Sequence, residues 1–201
     1  SPAVSGGVVV VPYSSGEIYG LRVESGTPVW ADSLAAIARV GGADMLADIS
    51  ASPVIDGSLV VATSNAGRTV GIDMRTGLRA WEQAVGSTSM PAVAGNSVFL
   101  ASTAGEVVAL SRVNGAVHWV TELPRFRRPD DRTGPILWSG PILAGGRLVL
   151  VSSFGKGVVL DARTGAVEAQ FDLPTATFVP PIVADGTLFV LTDNGDVVAY
   201  R

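Results

Sequence analysis

The sequence predicts an all-β fold made of stacked repeats, because the same landmarks return at fixed spacing along its 201 residues. The clearest copy is segment 53–81, PVIDGSLVVATSNAGRTVGIDMRTGLRAW. When five prolines are aligned without gaps, a glycine followed by a charged residue comes into register fourteen positions later in every copy. The prolines are Pro2, Pro53, Pro91, Pro141 and Pro181, and the glycines are Gly16, Gly67, Gly105, Gly155 and Gly195. Self-similarity with a period near forty indicates a repeat architecture.

Each repeat contains four short strand patterns separated by turns. An apolar pair such as Val54-Ile55 is followed by a turn, and the next run, 60–62, is apolar at successive positions, as expected for a strand covered on both faces. The third strand alternates large and small residues, as in Val70-Gly71-Ile72, and we expect the small residue to let an adjacent sheet approach closely. A further turn, 73–77, leads to the fourth strand. Four antiparallel strands per repeat predict the blades of a β-propeller.

A second glycine column and a tryptophan column complete the repeat. The glycines lie ten residues after the first glycine column and the tryptophans four residues later, with Ala169 as the exception: Gly26, Gly77, Gly115 and Gly165, then Trp30, Trp81 and Trp119. Because the tryptophans keep a fixed place in each repeat, we predict that they pack between blades and do not form a ligand-stacking site.

The spacing of the prolines predicts one domain with two inserted loops. We expect blades to start near residues 1, 52, 90, 140 and 180, with insertions at about 31–50 and 120–139. Segment 34–48 is compatible with a short helix, and Asp130 and Asp131 are expected to pair with the arginines beside them in a solvated loop. Both insertions join consecutive blades, which predicts a working face shared with the glycine hairpins. The alternative is that surface loops simply tolerate insertion.

The two ends of the repeat pattern predict an open arc. The fifth copy ends at Arg201 after its third strand, whereas Ser1 already begins an innermost strand. We therefore expect about five blades of a larger ring, with exposed blade faces that favour self-association. A five-bladed ring closed without the missing strand is the competing interpretation.

Composition and motifs argue against several function classes. The net charge of −4 argues against nucleic acid as a partner, and the longest apolar runs are too short for a membrane span. The absence of cysteine and the presence of one histidine, His118, exclude a thiolate or histidine metal cluster within the chain. No Gly-x-Ser-x-Gly nucleophile motif is present.

Segment 193–196, DNGD, is predicted to be a hairpin turn, not a calcium loop. We expect no catalytic residue, cofactor or metal.

The run 73–81, DMRTGLRAW, resembles the repeat of quinoprotein-type, PQQ-like propellers, in which an Asp-x-x-Thr-Gly turn precedes a strand that ends in tryptophan. Within that group the chain is most similar to the BamB family of outer-membrane assembly lipoproteins, because of segment 46–50, the Thr-Gly blades and the ending 193–201. This resemblance implies an eight-bladed, non-catalytic periplasmic propeller. It also implies a lipid anchor to the outer membrane through an N-terminal region upstream of Ser1.

The resemblance further implies a partner and a binding site. Members of the family dock on the periplasmic domains of BamA through loops on one face, and one such loop has a Leu-x-Asp-x-Asp pattern before the proline strand. Leu46 and Asp48 match this pattern, whereas Ser50 replaces the second acid and weakens the expected contact. Nascent outer-membrane proteins are a second implied partner. The repeat leaves open an alternative function, a fragment of a quinoprotein dehydrogenase or a ligand-sensing propeller.

Overall fold

The regular structure of the protein consists of β-strands throughout the residues that the computed structural model describes, 1–35 and 48–201. This confirms the predicted all-β class. The suggested helix within 34–48 falls almost entirely outside the described residues, and Leu46 falls outside them as well. Within the described ranges, no helix is long and apolar enough to cross a membrane.

In the described residues the strands form four four-stranded antiparallel sheets, one three-stranded sheet and one separate hairpin. The first sheet contains β1 (Ala3–Ser5), β2 (Val8–Pro12), β3 (Glu17–Arg22) and β4 (Pro28–Ser33). The second contains β5 (Val54–Asp56), β6 (Leu59–Ser64), β7 (Arg68–Asp73) and β8 (Arg79–Gln83). The third contains β9 (Ala92–Ala94), β10 (Ser97–Ala101), β11 (Glu106–Ser111) and β12 (Val117–Glu122).

The remaining strands follow the same order along the chain. The hairpin contains β13 (Phe126–Arg128) and β14 (Thr133–Pro135). The fourth sheet contains β15 (Trp138–Ala144), β16 (Arg147–Ser152), β17 (Lys156–Asp161) and β18 (Val167–Asp172). The three-stranded sheet contains β19 (Ile182–Ala184), β20 (Thr187–Leu191) and β21 (Val197–Tyr200).

The sheets are blades arranged around a common axis. In every sheet the strands pair in sequence order, and the first strands of successive sheets contact one another, β1 with β5, β5 with β9 and β9 with β15. A meander whose first strands meet in this way is the blade arrangement of a β-propeller. The predicted fold class is therefore confirmed, and the blades form an open arc.

The hydrophobic core lies in layers between neighbouring blades. Strand β6 is buried at all six positions: Val60 and Ala62 pack toward the first blade, and Leu59 and Val61 pack toward the third. Similar clusters fill the spaces between the third and fourth blades and between the fourth and fifth. The prediction that the middle strands are covered on both faces is confirmed by β6, and it follows from apolar residues at successive positions.

Each column tryptophan joins its blade to the next one. The indole Nε1 of Trp30 donates to the Met74 carbonyl oxygen at 2.7 Å, and that of Trp81 donates to the Arg112 carbonyl oxygen at 2.9 Å. Trp119 makes the equivalent bond to Ala162 at 3.2 Å. All three acceptors are in the turn that ends with the second glycine column of the following blade. The prediction of packing between blades is confirmed.

The small residue of the third strand has a different role from the one predicted. Gly20 and Gly71 lie opposite Trp30 and Trp81 in the same sheet. A Cβ atom on either glycine would lie 2.3 Å from the facing indole ring. The small residue therefore makes room for the tryptophan of its own blade, and the expectation that it admits an adjacent sheet was wrong. The reason is that cross-strand partners on one face are nearer than residues of the next sheet.

The fourth blade, which has Ala169 in the tryptophan column, uses an aromatic residue two positions further on. Phe171 lies opposite Gly157, where a Cβ atom would be 2.1 Å from the phenyl ring. The Phe171 ring also packs against Tyr200 of the fifth blade, with 5.3 Å between the ring centroids. The aromatic contact between blades is therefore kept. The glycine that makes room for the ring is shifted along its strand together with the aromatic residue.

The Asp-x-x-Thr-Gly turns are held together by their aspartates. Oδ1 of Asp73 accepts hydrogen bonds from the Thr76 backbone N–H at 2.8 Å and from the Thr76 hydroxyl at 2.7 Å. Asp161 accepts the same pair from Thr164 at 2.7 and 2.8 Å. The Thr hydroxyl and then the Thr N–H lower the pKa of both carboxyl groups, because these bonds favour the ionised form.

We expect Thr76→Val to raise the pKa of Asp73 toward its ordinary value, because the hydroxyl bond is the largest cause of the lowering. A group whose pKa is lowered by folding adds stability above its unfolded pKa and loses that stability as the pH falls through its folded pKa. The turn should therefore loosen at a higher pH in this variant than in the wild type. Carboxyl-carbon NMR titration measures the change, and Asp161 is the internal control. Equal titration of Asp73 before and after the substitution would contradict the prediction.

Candidate partner-binding face

One face of the arc collects the connections between blades, and we call it the linker face. It consists of the turns at Gly16, Gly67, Gly105, Gly155 and Gly195 and of the described parts of the linkers that precede β5, β9, β15 and β19. Antiparallel pairing places the turn between the second and third strands at the same end of the blade as the exit of the fourth strand. The other two turns of each blade lie at the opposite end, which is the opposite face.

The linkers are held to the turns by a repeated backbone hydrogen bond. In four turns, the residue two positions before the glycine donates its N–H to a carbonyl oxygen of the linker that enters the blade. The pairs are Asn65 to Asp48 at 3.1 Å, and Thr103 to Gly86, Ser153 to Leu137 and Asp193 to Ala176, each at 2.9 Å. These bonds fix where each linker crosses from one blade to the next.

The beginnings of three linkers are fixed as well. The N–H of the residue that follows the fourth strand donates to the carbonyl oxygen of the turn glycine in the same blade: Leu34 to Gly16 at 2.7 Å, Leu123 to Gly105 at 3.0 Å and Leu173 to Gly155 at 3.0 Å. These three leucines are buried. The face is therefore a set of constrained segments presented by rigid sheets.

The structure describes two of the three residues predicted to bind a partner. Asp48 is half-buried, and its carbonyl oxygen accepts the bond from Asn65, so the backbone position of this residue is determined. Ser50 is exposed and lies at the edge of a central cavity. Leu46 lies outside the described residues. The binding role of all three stays a prediction.

The central cavity has a volume of about 440 Å³ and lies where four successive linkers converge. Each linker contributes one of Ser50, Met90, Leu137 and Phe178. The side chains of the last three are exposed by 54%, 60% and 52%, and all three line the same cavity. Contiguous exposed apolar groups rimmed by polar residues are typical of interaction sites.

These three apolar residues were not predicted from the sequence. They stand outside the repeat columns, and their distances from the next column proline differ: one residue for Met90, three for Phe178 and four for Leu137. No shared spacing therefore relates them. The available signal was the occurrence of a large apolar residue within four residues of the column proline in each of these three linkers.

The second insertion differs from its prediction. Segment 126–135 forms the hairpin of β13 and β14, and within this fully described segment Asp130 and Asp131 form no ion pair with its arginines. Nη2 of Arg127 instead donates to the Ser153 carbonyl oxygen at 3.0 Å. The prediction of a self-paired loop was wrong, because a carbonyl oxygen and an aromatic ring of the next blade lie within reach of the guanidinium.

The remaining candidate positions lie in a turn and at a blade rim. Segment 193–196 forms the turn between β20 and β21, where Gly195 has a φ of 88° and the Thr192 N–H donates to the Asp196 carbonyl oxygen at 2.9 Å. His118 is exposed on the outermost strand β12, at the blade rim as predicted. Among residues 1–35 and 48–201, no three His, Cys, Asp or Glu side chains are close enough together to hold a metal ion.

The fold and its tryptophan–glycine contacts define the chain as a PQQ-like β-propeller. The family model described as "Outer membrane protein assembly factor BamB" matches residues 1–121 and 126–201. The chain therefore belongs to the BamB family.

Proteins with similar sequences or structures are also described as BamB. The outer membrane protein assembly factor BamB of Shigella dysenteriae is 27% identical over 198 residues, which cover 98% of this chain and 48% of that protein. The crystal structure of BamB from Moraxella catarrhalis has the same fold, with a TM-score of 0.84 at 23% identity, over 100% of this chain and 58% of that one. The chain thus spans about half the length of the curated relative.

More distant structures share the fold alone. Quinohemoprotein alcohol dehydrogenase from Comamonas testosteroni has a TM-score of 0.71 at 15% identity, over 99% of this chain and 40% of that enzyme. At this sequence identity, a shared fold does not imply a shared activity.

Proposed function

We propose that the chain is part of an outer-membrane protein assembly factor and acts as a non-catalytic periplasmic scaffold that binds the periplasmic domains of BamA through the linker face. Family membership and the names of the relatives support this role. The proposal includes a position at the outer membrane and a secondary contact with nascent outer-membrane proteins. It favours a scaffold over a quinoprotein enzyme, since the dehydrogenase resemblance is one of fold.

The observation that carries the proposal is the exposure of Met90, Leu137 and Phe178 around the central cavity. Their linkers are held by backbone hydrogen bonds to the turns, so little conformational entropy is lost when a partner covers them. Protein interfaces commonly have an apolar centre and a polar rim. The three side chains supply such a centre.

Asp48 and Ser50 supply part of the rim in this proposal. Ser50 borders the cavity, and Asp48 is two residues away on a linker whose backbone is fixed by Asn65. The Asp48 carboxylate would pair with a cation of the partner, with Leu46 adding apolar contact. Because Ser50 lacks the second negative charge of the family pattern, the apolar centre carries more of the binding free energy in this chain.

We expect Asp48→Arg to weaken binding of purified BamA periplasmic domains about tenfold or more, because the substitution replaces an attraction with a repulsion at the interface. Phe178→Ser should weaken binding by a similar factor, because it removes an apolar contact at the centre. Isothermal titration calorimetry measures both dissociation constants.

Glu24→Arg is the matched control for the charge reversal. Glu24 is exposed in the turn between β3 and β4, on the opposite face. Binding that is unchanged by Asp48→Arg would remove Asp48 from the interface, and binding that is equally weakened by Glu24→Arg would contradict the choice of face. A chromophore bound tightly after addition of pyrroloquinoline quinone and calcium would support the quinoprotein alternative instead.

A further inference from the structure

The hairpin of β13 and β14 lies in the second inserted loop, outside the four-stranded blades. The two segments matched by the family model are separated by residues 122–125, immediately before the hairpin. The hairpin itself, residues 126–135, lies within the second matched segment, and its contacts are explained by the residues found there.

The hairpin is held at its base and along its side. Its base is closed by the Ile136 N–H, which donates to the Arg125 carbonyl oxygen at 2.8 Å, and by Nε1 of Trp138, which donates to the Pro124 carbonyl oxygen at 2.9 Å. Its side is held to the fourth blade by Arg127, whose guanidinium carbon lies 4.9 Å from the centre of the Phe154 ring. These contacts fix the hairpin over the space between the third and fourth blades.

A second cavity of about 310 Å³ lies beneath this hairpin, and we call it the hairpin cavity. Its volume is within the usual range for sites that take a small molecule or a side chain. Its aromatic walls are Phe126, Trp138 and Phe154, and Phe154 is 43% exposed. Aromatic walls favour an aromatic occupant, since rings gain from offset and edge-to-face contacts.

Two cations line the same cavity. Arg127 donates one hydrogen bond to the Ser153 carbonyl oxygen, and a guanidinium has five N–H groups. Lys156 forms an ion pair with Asp172, and both of these side chains are largely exposed, so the pair leaves the ammonium accessible to another acceptor. The lining also contains one carboxylate, Glu122, on the wall formed by the third blade. Asp172 also lies near Phe154, so among the described residues the cation without an ion pair at this site is Arg127, which stacks on the Phe154 ring.

We propose that the hairpin cavity binds an extended peptide segment in which an aromatic side chain is flanked by a carboxylate. The ring enters between Trp138 and Phe154, and the carboxylate accepts hydrogen bonds from Arg127 and Lys156. Charge-assisted bonds of this kind select an acidic neighbour over a neutral one. This site adjoins the central cavity, with which it shares Ile136 and Trp138, and the proposal does not require binding to BamA.

The test uses three synthetic peptides and calorimetry. Acetyl-Gly-Asp-Phe-Asp-Gly-amide is expected to bind, and the peptides with Asn in place of Asp or Ala in place of Phe are each expected to bind roughly tenfold more weakly. Trp138 lines the cavity, whereas Trp30 and Trp81 are buried between blades, so binding should shift the tryptophan fluorescence. Trp138→Phe should abolish that shift.

Two substitutions with matched controls locate the site. Phe154→Ala should weaken binding of the acidic peptide roughly tenfold, whereas Leu78→Ala, which truncates another exposed apolar side chain, should not. Lys156→Gln should weaken it roughly tenfold as well. Its control is Arg147→Gln, which breaks the exposed ion pair with Glu168 elsewhere in the same blade.

Three outcomes would overturn the proposal. One is the absence of measurable binding of the acidic peptide. Another is equal affinity for the Asp and Asn peptides, or for the Phe and Ala peptides. The third is equal weakening by Lys156→Gln and Arg147→Gln, because the effect would then reflect net charge and not the cavity. Circular dichroism checks that each variant is folded.

Discussion

Replacing Trp81 with alanine is expected to lower the free energy of unfolding by about 3–5 kcal/mol, the usual cost of removing a large aromatic side chain from a core. The indole is 6% exposed and packs with Leu100 and Leu110 of the next blade. The substitution also leaves the Arg112 carbonyl oxygen without the bond from Nε1. Urea unfolding of the wild type and variant measures the difference.

Leu78→Ala is the control for Trp81→Ala. Leu78 lies a few residues before the tryptophan and is 70% exposed, so its truncation should change the free energy of unfolding by less than about 0.5 kcal/mol. If the two variants unfold at the same urea concentration, Trp81 contributes little to the free energy of unfolding. The tryptophan column would then not hold the blades together.

Gly77→Ala should lower the free energy of unfolding by about 2–5 kcal/mol. Of this, about 1–2 kcal/mol comes from the left-handed backbone and about 1–3 kcal/mol from overlap with the neighbouring blade. Gly77 has a φ of 73°, and an added Cβ atom would lie 2.4 Å from Cβ of Trp30. That atom is at the base of the side chain, so a rotation of the indole cannot relieve the overlap.

Gly95→Ala separates these two costs. Gly95 has a φ of 56°, and a Cβ atom there would have no neighbour within 4 Å. It should therefore show the backbone cost alone, about 1–2 kcal/mol. Thermal or urea unfolding of both variants gives the comparison. Equal destabilisation by the two substitutions would show that contact between the blades adds nothing to the requirement for glycine at residue 77.

Much of the blade could be predicted from local sequence. The turn glycines adopt a positive φ, and the apolar run in β6 is buried on both faces. Both features follow from the local residue types, so they could be predicted without knowledge of the tertiary contacts. The error at Gly71 has a physical cause. Sequence spacing shows that a small residue is required, but the neighbour that requires it, Trp81, is identified by the register of the strand pair.

Less of the candidate binding sites could be predicted. The family pattern indicated Asp48 and Ser50, whereas the apolar centre formed by Met90, Leu137 and Phe178 depends on linkers up to about ninety residues apart in sequence converging at one end of the axis. The hairpin cavity likewise joins residues of two blades and an insertion. Contacts between residues so far apart in the sequence leave no periodic pattern in it.

The sequence by itself determined the repeat, the turn chemistry, the tryptophan column and the family, because each is a pattern of residue types at fixed spacing along the chain. The tertiary structure decided which side chains of different linkers share a surface and where the inserted hairpin lies. The physical reason is that neighbouring blades are positioned by packing of the layers between them, so the composition of the linker face follows from the placement of whole sheets.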